Sequence, residues 1–188
     1  MKRRATTYAF LALASFGLFS GPVAGADVSP PSEYGLKAAF LFNFAKFTEW
    51  PSEAFTNTNS PIVIGVLGTN RFTSSLELVS ELEGTLRDKT INNRPLQVRE
   101  IQSLTEATNC HILFISTSEE KRLPQIFDTL RVAPVLTVGD ELGGFTEVGG
   151  MINFVTVDKK IRFQISNDKA KNARLRISSK LLSLALRP

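Results

Sequence analysis

The sequence predicts an α/β fold: a three-layer sandwich with a mainly parallel sheet, helices on both faces and an antiparallel hairpin at the C-terminal end. Continuous apolar runs at 61–67, 111–115 and 135–138 are typical of central strands that are covered on both faces. Stretches of helical periodicity separate these runs, and such alternation favours βαβ units. Two further strand-like stretches, 151–155 and 160–165, are joined by a short turn and predict the hairpin.

The N-terminus predicts a cleavable signal peptide, residues 1–26. Positive charge at residues 2–4 precedes an apolar stretch at about 8–19, and a small-x-small cleavage site follows. Cleavage near Ala26/Asp27 leaves residues 27–188 as a single domain, which we expect in the periplasm. An uncleaved signal anchor is the alternative, although the apolar stretch is shorter than the roughly 20 residues that span a membrane.

The charge of the predicted mature chain argues against nucleic-acid binding. The whole sequence has 22 Lys and Arg and 18 Asp and Glu. Three of the basic residues lie in the predicted signal peptide and none of the acidic ones does, so the mature chain is almost neutral. A nucleic-acid-binding domain is usually strongly basic.

A helix is predicted from Glu33 to Phe47, capped by Ser32 and ended by Trp50-Pro51. Apolar side chains lie on more than one of its faces, which indicates a helix that is buried on several sides or docked to a partner. We expect part of this surface to join the core and the rest to contact a partner or a second copy of the chain. The predicted contact residues are Phe40, Phe42, Phe44, Phe47 and Trp50.

The middle of the chain predicts helices after the first two long strands. Thr69 or Asn70 can cap a helix that runs to about Leu82, with Gly84 ending it. Residues 90–101 are strand material around a turn at 92–95. Ser116 and Glu119 match a capping box for a helix to about Arg131, although Pro124 implies an early kink or a start near Leu123. A last helix is predicted from Asn167 to about Leu186.

Polar residues at the predicted strand ends indicate a possible crevice for a small molecule or an anion. The carboxyl ends of parallel strands share one edge of a sheet, where ligands bind, and helix N-termini attract anions. The alternative is that these are ordinary turns. The candidate residues are Gly68, Thr69, Asn70, Ser116, Asp140, Arg174 and Arg176.

The sequence is poor in catalytic and metal-binding residues. Its single Cys and single His are adjacent, and neighbours on a strand point to opposite faces, so Cys110 and His111 cannot easily act as a pair. We therefore predict no enzymatic activity, no metal site and no cofactor. His111 is expected to be a hydrogen-bonded residue at a strand entrance. Cys110 is either a small buried hydrophobe or a redox thiol.

Seven segments, in order along the chain, carry a resemblance to the YfiR family of periplasmic regulators. They are LKAAFLFNFAKFTEWP (36–51), IGVLG (64–68), CHILFIS (110–116), LTVGD (136–140), GGMINF (149–154), IRFQI (161–165) and ARLRISSKLL (173–182).

The resemblance implies a protein that binds the periplasmic domain of an inner-membrane diguanylate cyclase and represses it. Repression would lower cyclic di-GMP and biofilm formation. The resemblance also implies dimers and redox control through disulfides, but a single Cys leaves only a bridge between chains. A small-ligand-binding sensor acting on another membrane signalling protein remains the alternative, and a hydrolase with a non-standard site is a third hypothesis.

Overall fold

The computed structural model describes residues 32–70 and 73–186, so the predicted signal peptide lies outside the described residues. The strands are β1 (Thr48–Glu49), β2 (Ile62–Leu67), β3 (Thr90–Ile91), β4 (Arg94–Ile101), β5 (Ile112–Ile115), β6 (Leu136–Gly139), β7 (Ile152–Val157), β8 (Lys160–Ile165) and β9 (Arg176–Ile177). The helices are α1 (Glu33–Lys46), α2 (Ser75–Leu86), α3 (Leu104–Ala107), α4 (Leu123–Leu130), α5 (Phe145–Val148), α6 (Asn167–Asn172) and α7 (Ser179–Leu182).

Seven strands form one sheet in the order β3-β4-β2-β5-β6-β7-β8. The five central strands are parallel, and the pairs at the two edges, β3–β4 and β7–β8, are antiparallel. The predicted α/β class, the mainly parallel sheet and the C-terminal hairpin are therefore confirmed. A second, two-stranded sheet pairs β1 with β9.

Alternate residues of the central strands enter two separate cores, which is the physical reason for the layered architecture. Ile62, Ile64 and Val66 of β2 pack with α1 and α2, whereas Val63 and Leu67 pack with α3, α4 and α5. Because both faces of the strand must be apolar, its sequence is a continuous hydrophobic run instead of an alternating one.

The first helix forms as predicted, with the Ser32 hydroxyl accepting a hydrogen bond from the Gly35 amide. Its buried residues are Lys37, Ala38, Leu41, Phe44 and Ala45. Phe44 is fully buried and packs on Phe163 at a ring-centroid distance of 5.1 Å. Phe44 therefore belongs to the core, and its predicted role in a partner contact is corrected.

One predicted helix start is wrong, and of the two alternatives for the next helix the later one is confirmed. Ser74, not Thr69 or Asn70, caps α2 in a capping box with Glu77, and the helix continues through Gly84 to Leu86. Ser116 makes no side-chain cap hydrogen bond; a 3₁₀ turn over Thr117–Arg122 follows it, and α4 starts at Leu123, as the Pro124 alternative allowed.

The predicted final helix is broken into three pieces. Its first piece, α6, ends at Asn172, and Arg174 adopts a left-handed backbone with φ +61°. The chain then runs as β9 beside β1 before α7 begins. Among the described residues, no helix is long and apolar enough to cross a membrane.

Candidate functional site

An open cavity of about 910 Å³ lies where β2, β5 and β6 end, below the first turns of α1. The loops that follow the three strands contribute one wall, and α1 contributes the other. Each described residue that lines it carries a polar or charged group: Glu33, Tyr34, Lys37, Thr69, Asn70, Thr73, Thr117, Ser118, Glu120, Asp140, Glu141 and Thr156. The parallel topology explains the position, because the carboxyl ends of all three strands meet at one edge.

A buried lysine stands at the centre of this site. The Lys37 Nζ atom lies 2.5 Å from Asp140 Oδ1, 2.5 Å from Glu33 Oε1 and 3.3 Å from Glu141 Oε1. The side chains of Lys37 and Asp140 are only 1% and 3% exposed. One ammonium therefore acts as the common counterion of three carboxylates.

The position of Lys37 on the helix explains its burial. Lys37 shares a helix face with Leu41 and Phe44, so its aliphatic stem enters the core while its charged end reaches the cavity. Burial by itself lowers the pKa of Lys37, but the nearby carboxylates of Asp140 and Glu33 outweigh that effect and raise the pKa above its usual value. Lys37 therefore stays charged.

Tyr34 and Asp140 form the second contact across the cavity. The Tyr34 hydroxyl donates to Asp140 Oδ2 at 2.9 Å and accepts a hydrogen bond from the Asn70 amide. Burial and the neighbouring carboxylate raise the pKa of Tyr34. Burial also raises the pKa of Asp140, while the Lys37 ammonium opposes that rise. Asp140 therefore has a cation on one oxygen and a hydroxyl on the other.

The electrostatics of the cavity are acidic. Of the residues that the structure describes, four with carboxyl side chains line it, against the single ammonium of Lys37. Carboxylate oxygens of Glu33, Asp140 and Glu141 lie within 4.8 Å of one another, close enough to share a cation. The Lys37 ammonium already contacts all three, so a metal ion would have to displace it.

The structure gathers only part of the predicted crevice. Thr69, Asn70 and Asp140 line the cavity. Gly68 precedes them with φ +82°, a left-handed conformation that lets the chain turn away from β2. Ser116 lies fully buried beside the cavity lining, and its hydroxyl has no hydrogen-bond partner within the described chain.

Two arginines of the predicted crevice lie elsewhere, which corrects that prediction. Arg174 pairs with Glu53 at 2.6 Å and reaches the carbonyl of Val132, just before β6. It therefore lies at the amino-terminal edge of the parallel strands, opposite the cavity. Arg176 is exposed on β9, in the small sheet. Both were misplaced because the final helix is broken at Arg174.

The sequence patterns did not predict the residues that α1 contributes to the cavity, which are Glu33, Tyr34 and Lys37. They also did not predict Glu141. One signal was present: Lys37 falls on the same helical face as Leu41 and Phe44. A charge in an apolar stripe indicates a buried partner of opposite sign, because an unpaired buried charge is very unfavourable.

The predicted aromatic contact residues do not form one patch. Phe40 packs on Phe154 and Phe163 of the hairpin, whereas Phe42 lies on the other side of α1 near Lys89. Phe47 and Trp50 lie beyond the end of the helix; the Trp50 indole donates to the carbonyl of His111 at 3.1 Å. All four remain partly exposed.

Burial and hydrogen bonding indicate structural roles for His111 and Cys110. His111 Nδ1 accepts from the Val63 amide and Nε2 lies 3.1 Å from the Ala54 carbonyl, so the ring is a neutral Nε2–H tautomer. Burial lowers the pKa of His111 to about 4. Cys110 is 5% exposed, and burial raises the pKa of its thiol, which disfavours a redox role.

A comparison with curated proteins found no match. A comparison with protein families found one: the model described as YfiR/HmsC-like matches residues 34–186. The match starts at the Tyr34 of the cavity and continues through the hairpin to the isolated bridge between Gln164 and Leu186. It covers most of the chain, and the protein therefore belongs to the YfiR/HmsC-like family.

Proposed function

We propose that this protein is a periplasmic regulator that binds a membrane-bound diguanylate cyclase and represses it, lowering cyclic di-GMP and biofilm formation. The membership of a family of regulators supports the assignment. The observation that carries the proposal is apolar surface on α1 that the core does not use. Leu36 is 39% exposed, and Phe40 and Ile161 are half-buried beside it.

The ionisable groups of the cavity also support a binding protein over an enzyme. Lys37 is engaged with three carboxylates, and the Tyr34 hydroxyl is engaged with Asp140. A general base must be free to take a proton from a substrate. The contacts of Asp140 stabilise the fold around the cavity, and they leave Asp140 poorly suited to act as a general base.

The experiment is calorimetric titration of residues 27–188 with the periplasmic domain of a membrane diguanylate cyclase from the same cell. We expect saturable binding at micromolar concentration or tighter. Leu36→Asp should weaken it by about tenfold or more, because a charge would replace a desolvated apolar contact. Leu76→Asp is the matched control, since Leu76 is 68% exposed on a different helix, α2.

Two outcomes would contradict the proposal. If the folded wild-type protein does not bind the cyclase domain, the proposed partner is wrong. If Leu36→Asp and Leu76→Asp weaken binding of the cyclase domain equally, the assigned surface is wrong, because the effect then follows from the added charge alone.

A second candidate function is a sensor that binds a small polar ligand in the cavity and acts on another membrane signalling protein. The size and polar lining of the cavity favour it. The excess of carboxylates favours a cationic ligand over the predicted anion. Thermal unfolding with spermidine and, in parallel, with phosphate tests this: a saturable rise in Tm with spermidine supports it, and no shift with either opposes it.

A further inference from the structure

We propose that the open edge of β8, together with the groove beside it, binds an extended acidic segment of the partner as an added strand. The identity of that partner rests on the proposed function, whereas the surface and the chemistry of the segment are argued from the structure alone.

The first observation is a strand edge that is only partly covered: Leu186 bridges to Gln164, and in the part of the chain that the structure describes the edge is open at residues 160–162. β8 is the last strand of the seven-stranded sheet and pairs only with β7 on its inner side. On its outer side, the Phe163 carbonyl accepts a hydrogen bond from the Leu186 amide, so the backbone groups of Phe163 point away from β7. Strand periodicity directs the backbone groups of Ile161 the same way. Within the described residues, nothing bonds to these groups of Ile161.

The second observation is an apolar groove next to this edge. It has a volume of about 510 Å³, and its apolar side chains are Leu36 and Phe40 of α1 and Ile161 of β8. Ile161 lies on the same face of the sheet as Phe163, which packs against Phe40. A side chain of an added strand that points to this face would therefore enter the groove.

The third observation is an uncompensated basic cluster at the hairpin end. Lys159, Lys160 and Arg162 border the groove and are exposed, and the carboxylate that also lines it, Glu33, is paired with Lys37. None of the ion pairs among the described residues involves any of the three basic residues of the cluster. Lys160 and Arg162 point to the sheet face opposite Ile161, because neighbours on a strand alternate.

Together these observations define the partner segment. Its apolar side chains would fill the groove beside Ile161, and the alternate side chains would lie across from Lys160 and Arg162. Opposite charges on neighbouring strands attract, and like charges repel. The segment should therefore alternate apolar and acidic residues, a pattern typical of peptides that add a strand to a sheet edge. Lysines on an edge can instead serve only to prevent aggregation, in which case the edge binds nothing.

The test is an NMR titration of ¹⁵N-labelled residues 27–188 with a blocked seven-residue peptide of alternating Glu and Val. We expect saturable shifts centred on Ile161, with its amide proton moving downfield as it gains a hydrogen bond. The same peptide with Lys in place of Glu should bind about tenfold more weakly or worse. Lys160→Glu/Arg162→Glu should reverse this preference.

A charge-matched control variant is Lys121→Glu/Arg131→Glu, whose two residues are exposed near the ends of α4 and do not line the groove. This control should behave as the wild type does. The proposal is overturned by an absence of shifts at Ile161, by equal binding of both peptides, or by equal effects of the two double variants.

The cyclase domain separates this inference from the proposed function. If the cyclase domain binds the wild type and Lys160→Glu/Arg162→Glu equally, the proposed binding site on β8 is wrong and the repressor proposal stands. If the acidic peptide binds and the cyclase domain does not, the binding site on β8 is supported and the proposed partner is wrong. Self-association of the wild type that the same double variant abolishes would overturn the proposal in favour of a second copy of the chain.

Discussion

Lys37 places a positive charge in the apolar face of α1, where Asp140 meets it at 2.5 Å. Both side chains are almost completely buried, so each compensates for the removal of the other from water. Such a pair contributes little when it is compared with two apolar residues, but the loss of one partner leaves an uncompensated charge. Variants of the pair therefore test whether Lys37 and Asp140 act as an ion pair.

Lys37→Met should destabilise the protein by about 3 kcal/mol, because Asp140 loses its counterion; the open cavity, which admits water, keeps the effect at the low end. Without Lys37 the pKa of Asp140 rises further. Below that pKa the carboxyl group is neutral and its burial is tolerated, so the destabilisation should grow as the pH rises. Urea unfolding at pH 5 and at pH 8 measures both effects.

The control is Lys37→Met/Asp140→Asn, which removes both charges while the Asn oxygen can still accept a hydrogen bond from Tyr34. It should recover at least half of the lost stability and most of the pH dependence. If the double variant is less stable than Lys37→Met at pH 8, the two residues do not act as an ion pair.

Protonation of His111 makes the free energy of unfolding depend on pH. Its pKa falls from 6.5 to about 4 on folding, so the unfolded chain binds a proton more readily. The stability associated with neutral His111 is complete above about pH 6.5 and declines as the pH drops toward 4. The shift corresponds to a loss of roughly 3 kcal/mol over that interval.

His111→Asn isolates this contribution, since His111 is the only histidine in the sequence. The Asn oxygen can accept the Val63 amide in place of Nδ1 without taking up a proton. The difference in unfolding free energy between wild type and variant should shrink as the pH falls from 6.5 to 4. A difference that stays constant would mean that His111 is not held neutral.

At the scale of secondary-structure elements, two glycines with opposite requirements provide a matched pair. Gly68→Ala should cost roughly 2 kcal/mol, because φ is +82° and a Cβ atom would lie 2.6 Å from Glu119 Cγ. Gly84→Ala should stabilise by about 0.5–1 kcal/mol, because Gly84 lies within α2 and its added Cβ meets open space. Thermal unfolding of both variants checks the signs. A stable Gly68→Ala would mean that the turn after β2 is not held in the left-handed conformation.

The broken final helix shows where periodicity is insufficient. Ala170, Ala173, Ile177, Leu181 and Leu184 follow a helical spacing; the first four are buried, whereas Leu184 is 63% exposed. The chain nevertheless leaves the helix at Arg174, because a short strand beside β1 lets Ile177 reach the core by another path. Spacing predicts most of the buried side chains here, but over short segments it does not fix the backbone that buries them.

At the scale of the whole molecule, the sheet was largely predictable and the site was not. β2, β5 and β6 are covered on both faces, so each is a recognisable apolar run followed by polar residues. Topology then brings the loops after β2, β5 and β6 to one edge, which is how Thr69, Asn70 and Asp140 were found. The opposite wall of the cavity comes from α1, and no local pattern states which edge a preceding helix will cover.

The proposed location predicts a specific mature N-terminus. Protein recovered from the periplasm of the producing cell should begin at Asp27, as intact-mass spectrometry can show. Export should fail when the positive residues 2–4 are replaced by Asp, because the n-region would lose its charge. Full-length protein that stays in the membrane fraction would instead identify an uncleaved anchor.

The pairing of β1 with β9 also has a consequence for export. Thr48, directly after α1, pairs with Ile177, and the Ser178 amide bonds to the Phe47 carbonyl. The aromatic rings of α1 also pack on Phe154 and Phe163 of the late hairpin. Part of the surface on which α1 packs is therefore missing until nearly all of the chain has been synthesised. A precursor that still lacks its last strands would be less stable than the complete domain, and so easier to thread through a translocation channel.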